Sequence, residues 1–124
     1  MKREEIIQYA GEKFGSEPEY LWAKHPAYCI LRHESNKKWY AVIMDVPGEK
    51  LGLPCHDAMT VLNVKCGSAL LGSLLETKGY LPAYHMNKAS WVTVLLDGSV
   101  PREEILNLLT VSYDLTKVRR KAKA

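Results

Sequence analysis

The chain has few cysteines and sets none of them in a recognisable pattern. Cys29, Cys55 and Cys66 are an odd number and contain no C-x-x-C pair, which excludes a disulfide framework and a zinc signature. Free thiols in a reducing compartment follow. Long apolar runs are missing too. The longest, residues 91–96, suits one strand and falls far short of the roughly 18 residues of a membrane helix. The first residues, MKREEIIQYAGEKFG, alternate charged with apolar side chains and have no h-region, so they do not read as a signal peptide. A cytoplasmic protein without a membrane partner is expected. No internal repeat, low-complexity segment or interdomain linker breaks the chain.

What is present suits one globular unit. A length of 124 residues is enough for a real core, and the 47 % hydrophobic and 25 % charged content is ordinary. The net charge of +3 is unevenly placed. Lys117, Arg119, Arg120, Lys121 and Lys123 crowd the last eight residues. Of 17 basic residues, the other 12 face 14 acidic ones, so the body carries about −2. Only a local basic patch can therefore serve an anionic partner. The domain is expected over residues 1–119, with 120–124 as a basic tail.

Periodicity predicts the elements. Ile6, Ile7, Ala10 and Phe14 share one face of a helix over 2–14, stopped by Gly15. Residues 16–27, with Pro18 and Pro26, form a loop packed over the core. Residues 28–33 and 38–44 read as a β-hairpin around the polar turn 34–37. Residues 46–57 hold too many Pro and Gly residues for regular structure. A third strand covers 60–65. A short helix over 67–77 follows, with Ser68 able to cap it. Residues 79–88 form a loop with an extended piece near 81–84. The strand 91–96 is the strongest in the chain. Asp97-Gly98 turns into a last helix over 101–119, with Pro101 at its first position and Ile105, Leu108, Leu109, and Ser112 or Leu115 buried. The order α-β-β-β-α-β-β-α calls for an α+β domain, a mostly antiparallel sheet with helices packed on one side.

The stretch Tyr84-His85-Met86-Asn87-Lys88, then Trp91, then Thr93 to Pro101 (TVLLDGSVP), together with Ser112-Tyr113, resembles the MmcQ/YjbR family of small bacterial proteins. Asn63-Val64-Lys65-Cys66 and the hairpin over 28–44 add to the likeness, which covers nearly the whole chain. The resemblance implies an α-β(3)-α-β(2)-α fold, similar to secretion chaperones and frataxin-like proteins. It also implies a DNA-binding label of the "double wing" kind. Two positions depart from the family pattern. Ala89 stands where a basic residue is common, removing a charge from the loop, and Gly67-Ser68 stand where Asp-Pro is common.

Candidate site residues follow from chemistry. His85, Asn87 and Lys88 can hold a phosphate or another anion through a switchable donor, an amide and a point charge, with Lys65 joining if its strand is adjacent. The same His and Asn can instead fix the loop through backbone bonds. Lys37 and Lys38 sit at a hairpin tip beside the aromatic pair Trp39-Tyr40. Arg119, Arg120 and Lys121 can add salt-dependent phosphate affinity, or simply suit the end of a helix dipole. Trp22, Trp39 and Trp91 can stack bases or pack the core. Cys55-His56-Asp57 lacks the geometry of a nucleophile and a second cluster for a metal, so no catalytic residue, cofactor or metal is expected. The expected function is non-enzymatic binding, with DNA as partner and weak dependence on sequence. A protein-interaction or chaperone-like module, or a small anion binder at residues 85–88, are the alternatives.

Overall fold

Alternating strand residues feed two separate apolar clusters, one on each face of a single sheet. The computed structural model describes residues 1–117. Its elements are α1 (Arg3–Phe14), β1 (Cys29–Arg32), β2 (Trp39–Pro47), a 3-10 turn (Gly48–Leu51), β3 (Ala58–Lys65), α2 (Ser68–Leu75), β4 (Tyr80–Pro82), β5 (Trp91–Leu95) and α3 (Arg102–Thr116). The strands are ordered β1-β2-β3-β5-β4, and every neighbouring pair is antiparallel. This is the α+β architecture the sequence implies.

The first face packs against helices. Ile6 and Ala10 of α1 and Ile105, Leu108 and Leu109 of α3 meet Leu31, Ile43, Leu62, Val64, Val92 and Val94. Leu71 and Leu74 of α2 add to the same cluster. α1 and α3 lie side by side and run the same way. Arg102 binds Glu5 at their starts (2.6 Å), and Phe14 stacks on Tyr113 near their ends (4.1 Å between ring centres). The second face carries Ile30, Val42, Met44, Val46, Val61 and Leu95, and loops cover it. Trp22 and Tyr28 come from the segment before β1, Leu51 and Leu53 from the β2–β3 connection, and Tyr84 and Met86 from the β4–β5 loop.

One irregularity sets the division of side chains between the faces. Leu31 pairs with Ala41 but Arg32 pairs with Trp39, so Tyr40 is an extra residue in β2. Such a bulge breaks strict alternation. Tyr40 and Ala41 both enter the helix-covered core, while Trp39 goes to the loop-covered face. The bulge interrupts pairing beside the end of β3, and a helix side chain meets the backbone there. Ser112 of α3 donates its hydroxyl to the Tyr40 carbonyl (2.5 Å) and accepts the Lys65 N–H (2.8 Å).

The hairpin between β1 and β2 caps the far end of α3. Asn36 donates its amide to the Thr116 carbonyl (2.8 Å). The buried His33 places Nε2 3.0 Å from the Tyr113 carbonyl and 2.8 Å from Thr116 Oγ1. A carbonyl only accepts, and the Thr116 hydroxyl donates to the Ser112 carbonyl, so Nε2 carries the proton and donates. Orphan carbonyls of the last turn are thus satisfied without a glycine cap. The helix stops at Thr116 rather than 119, with Lys117 already extended.

Other boundaries shift for local reasons. β2 continues through Pro47 because a terminal strand position needs no N–H, and β3 starts at Ala58 opposite it. The extended piece expected near 81–84 is Tyr80–Pro82, and Pro82 is tolerated because β4 is an edge strand. Ser68 is the first helical residue of α2 and gives no side-chain cap, and Pro101 is the N-cap of α3, not its first helical residue. Ser112 is buried, whereas Leu115 is exposed.

Two outcomes test this frame. Ser112→Ala leaves a buried N–H and a buried carbonyl without their partner, so urea unfolding should show a loss of about 2–3 kcal/mol. Burial also pushes the His33 imidazole below its ordinary value of 6.5. The unfolded chain then takes up this proton before the folded one. Stability should be complete above that value, fall as pH drops through about 6.5, and level off below the folded value. Urea midpoints measured between pH 7.5 and 5.5 should show the decline, and His33→Gln, which keeps a donor for Tyr113 without titrating, should flatten it.

Candidate functional site

Antiparallel register decides which candidate residues share a neighbourhood. Lys65 at the end of β3 pairs with Trp91 at the start of β5, and the neighbouring Val64 pairs with Ala41 near the start of β2. The β1–β2 hairpin and the end of α3 meet at that same end of the sheet. Lys37, Lys38, Lys65, Lys88 and Lys117 therefore all lie at one end of the molecule. Lys37, Lys38 and Lys88 are exposed, and Lys65 is half-buried. Lys117 is 3.5 Å from Asp114. Lys37 holds a left-handed backbone, with φ of 63°. Arg119, Arg120 and Lys121 lie outside the described residues.

The residues at 85–88 divide. The side chain of Asn87 accepts the Ala89 N–H (2.9 Å) and its carbonyl accepts the N–H groups of Ser90 and Trp91, so it builds the turn that launches β5. Lys88 stands exposed on that turn. His85 points to a different place. Its φ is 57°, and it lines a cleft on the loop-covered face.

That cleft has a volume of about 700 Å³. Trp22, His25, Tyr28, Trp39, Tyr84 and Met86 are half of its lining, and Met44 of β2 adds to it. The rings brace one another. Trp22 meets Trp39 edge to face at 5.7 Å and Tyr28 at 5.9 Å, and His25 stacks on Tyr28 at 4.4 Å. Burial raises the Tyr28 phenol above its ordinary value, and proximity to Tyr84 adds to the rise. Lys50 stands exposed among the lining residues. Asp45 contributes from β2, and its Oδ1 meets Arg3 of α1 (3.1 Å) and accepts from the Thr60 hydroxyl (2.8 Å).

A buried polar chain aims the β4–β5 loop across this face. Thr93 of β5 donates its hydroxyl to Asn63 Oδ1 and accepts the Tyr84 N–H (2.9 Å). Asn63 in turn sits 3.8 Å from the Met44 sulfur. Gly48 holds the opposite rim. A Cβ there would fall 2.1 Å from Cys55 Sγ, so only glycine lets the 48–57 connection close under Lys50.

A second hollow of about 700 Å³ lies between the end of α1 and the hairpin, lined in part by Ser16, Glu19, Arg32, His33 and Lys37. Arg32 and Glu19 neutralise each other there through two 2.6 Å hydrogen bonds. His56 bonds Glu49 (2.8 Å) and not Cys55, and no metal-ligand cluster occurs among the described residues. No described helix is long and apolar enough to cross a membrane.

The model of the YjbR family matches residues 12–115. The chain belongs to the YjbR family. It is 44 % identical over 117 residues to the uncharacterized protein YyaQ of Bacillus subtilis, covering 94 % of this chain and 99 % of that one. A crystal structure from Pseudomonas syringae is 43 % identical and superposes with a TM-score of 0.92 over 94 % of this chain and all of that one. A Deinococcus radiodurans structure at 24 % identity and a TM-score of 0.69, covering 90 % of this chain and 75 % of that one, shares the fold. The matched range includes both places described above: Lys65 and Lys88 at the sheet end, and the Tyr84–Met86 wall of the cleft.

Sequence reasoning singled out Trp22, Trp39 and His85 separately and missed His25, Tyr28, Lys50, Tyr84 and Met86 as their partners. The available signal was Asn63, a polar residue in the middle of the apolar run VLNV. Thr93→Val removes the hydroxyl joining Asn63 to Tyr84 while keeping shape. It should cost about 1–3 kcal/mol and raise amide exchange selectively across residues 83–87.

Proposed function

We propose that this YjbR-family protein is a non-enzymatic binding protein whose partner is a nucleic-acid backbone, engaged weakly and with little regard to sequence. The observation that carries this reading is the convergence of Lys37, Lys38, Lys65 and Lys88 on the end of the sheet where α3 also finishes. The sequence after Lys117 carries Arg119, Arg120, Lys121 and Lys123, which add to the positive charge available to an anionic partner. Lysines act as point charges and suit phosphates without reading bases. α1 and α3 are packed on the sheet, so neither is offered as a groove-reading helix.

A protein-interaction role is the second reading. α2 carries no charged side chain and buries no residue fully, leaving Leu70 and Leu75 exposed.

Fluorescence anisotropy with a random duplex at stepped salt tests the proposal. Binding should be micromolar at low salt and lose about 0.9 in log-log slope for each lysine–phosphate contact removed. Lys88→Ala and Lys37→Gly should each weaken it. Lys37→Gly also relieves a left-handed backbone at about 1 kcal/mol, so its lost binding cannot be blamed on unfolding. A chain ending at Lys117 should bind more weakly but still respond to Lys88→Ala. Binding that ignores both lysines overturns the site. No binding at low salt overturns the partner and turns attention to α2.

A further inference from the structure

We propose that the cleft between the Trp22–Tyr28 segment and the Tyr84–Met86 loop is a small-molecule site for a flat aromatic compound bearing one negative group. The sheet end rich in lysine plays no part in it. Three observations converge.

First, the rings are concentrated where they stay accessible. Both clusters bury most of their strand residues fully, yet Trp22, Tyr28, Trp39, Tyr84 and Met86 all remain half-buried around one cleft. Packing alone would favour collapsing such large side chains together. Instead they enclose about 700 Å³, within the usual size of a ligand site. An edge-to-face contact occupies one face of one ring, so the Trp22–Trp39 and Trp22–Tyr28 contacts leave other faces for a stacking guest.

Second, the walls are fixed. His25 is stacked on Tyr28, and the loop bearing Tyr84 is pinned through Thr93 to the buried Asn63. His85 keeps a left-handed backbone between Tyr84 and Met86, a strained setting for a residue with a Cβ. A preorganised site pays little ordering cost when a guest enters.

Third, hydrogen-bond donors and a cation outnumber the acidic groups in the lining. Lys50 and the imidazole donors of His25 and His85 surround the opening. The single acidic lining residue, Asp45, has its Oδ1 engaged by Arg3 and Thr60, so part of its charge is met away from the cleft. An anionic substituent meets donors there, whereas a cationic one meets Lys50. An aromatic amine or a purely aliphatic chain fits this chemistry less well than an aromatic carboxylate.

The test uses the full chain, isotope-labelled, with nuclear magnetic resonance titrations of three probes: naphthoate, its neutral counterpart naphthylmethanol, and the non-aromatic anion cyclohexylacetate. Naphthoate should move the indole N–H signals of Trp22 and Trp39 but not that of Trp91, with a dissociation constant on the order of 0.1 mM. Cyclohexylacetate should bind at least about ten-fold more weakly. Lys50→Ala should weaken naphthoate about five-fold and leave naphthylmethanol unchanged. Trp22→Leu should weaken both aromatic probes, and His25→Ala, at an exposed position, supplies the same reading if the first variant folds poorly. Lys88→Ala should leave naphthoate binding intact, so this site and the nucleic-acid reading stand or fall separately. Still signals at millimolar naphthoate, or shifts lying elsewhere, overturn the site. Equal binding of cyclohexylacetate overturns its aromatic character, and equal binding of naphthylmethanol overturns its charge preference.

Discussion

The Ser112 hydroxyl joins the last helix to two strands at the point where their pairing breaks. It gives its proton to the Tyr40 carbonyl and takes the Lys65 N–H. A serine inside a helix is usually indifferent to stability, because its hydroxyl competes with the helix backbone. Here it satisfies backbone groups of other elements, deep under an apolar layer where no water replaces it. The bulge at Tyr40 needs that substitute. Without the bulge, strict alternation would send Tyr40 to the loop-covered face and Trp39 to the helix layer. With it, Tyr40 joins Phe14, His33 and Tyr113 in an aromatic cluster under the helix ends, and Trp39 is free to meet Trp22. The place of α3, the division of the rings and the position of Lys65 thus depend on one hydroxyl.

The two faces solve burial by different means. Helices cover the first face with regular side-chain rows, and Phe14 lies flat on Tyr113 where α1 and α3 end. Loops cover the second face. A loop brings its own unpaired backbone, so it needs side-chain anchors that a helix does not. Arg3 takes the Ala27 carbonyl as well as Asp45, tying the segment before β1 to α1 and β2 together. Glu19 exchanges two backbone hydrogen bonds with Ile30 and holds Arg32 by its carboxylate. Thr93 does the same service for the β4–β5 loop. Anchored at these few points, the loops leave space between them, and the accessible rings line that space.

Much of the fold was legible because local signals agreed with it. The β-branched run of β5, the Ile6–Ala10 spacing of α1 and the polar turn at residues 34–37 each had one physical reading, and each forms. Boundaries were less legible where a proline was compatible with its surroundings. Pro47 and Pro82 look like breakers in a one-dimensional reading, yet a strand terminus and an edge strand ask nothing of their missing N–H. The cleft was least legible of all. Its residues come from segments that only the sheet brings together, and Trp22 alone, in a loop between two prolines, gives no hint of Trp39. His33 was one of four scattered histidines until the hairpin placed it under the end of α3.

The buried pair Asn63 and Thr93 is the feature of the second face that burial alone explains least. Two valines at these central positions would satisfy the sheet ladder, fill similar volume and avoid desolvating an amide. Their polar atoms pair with each other, and through the Thr93 hydroxyl they also take the Tyr84 N–H. Replacing such a network by apolar residues is often neutral or favourable for stability alone. Its benefit is therefore positional: it fixes one register of the Tyr84–Met86 loop against Met44 and holds the left-handed His85 at the rim of the cleft. A loop meant only as a lid over apolar strands would not need its register specified. A loop that must present rings and a donor to a guest would, and the constraint is placed directly beneath those residues.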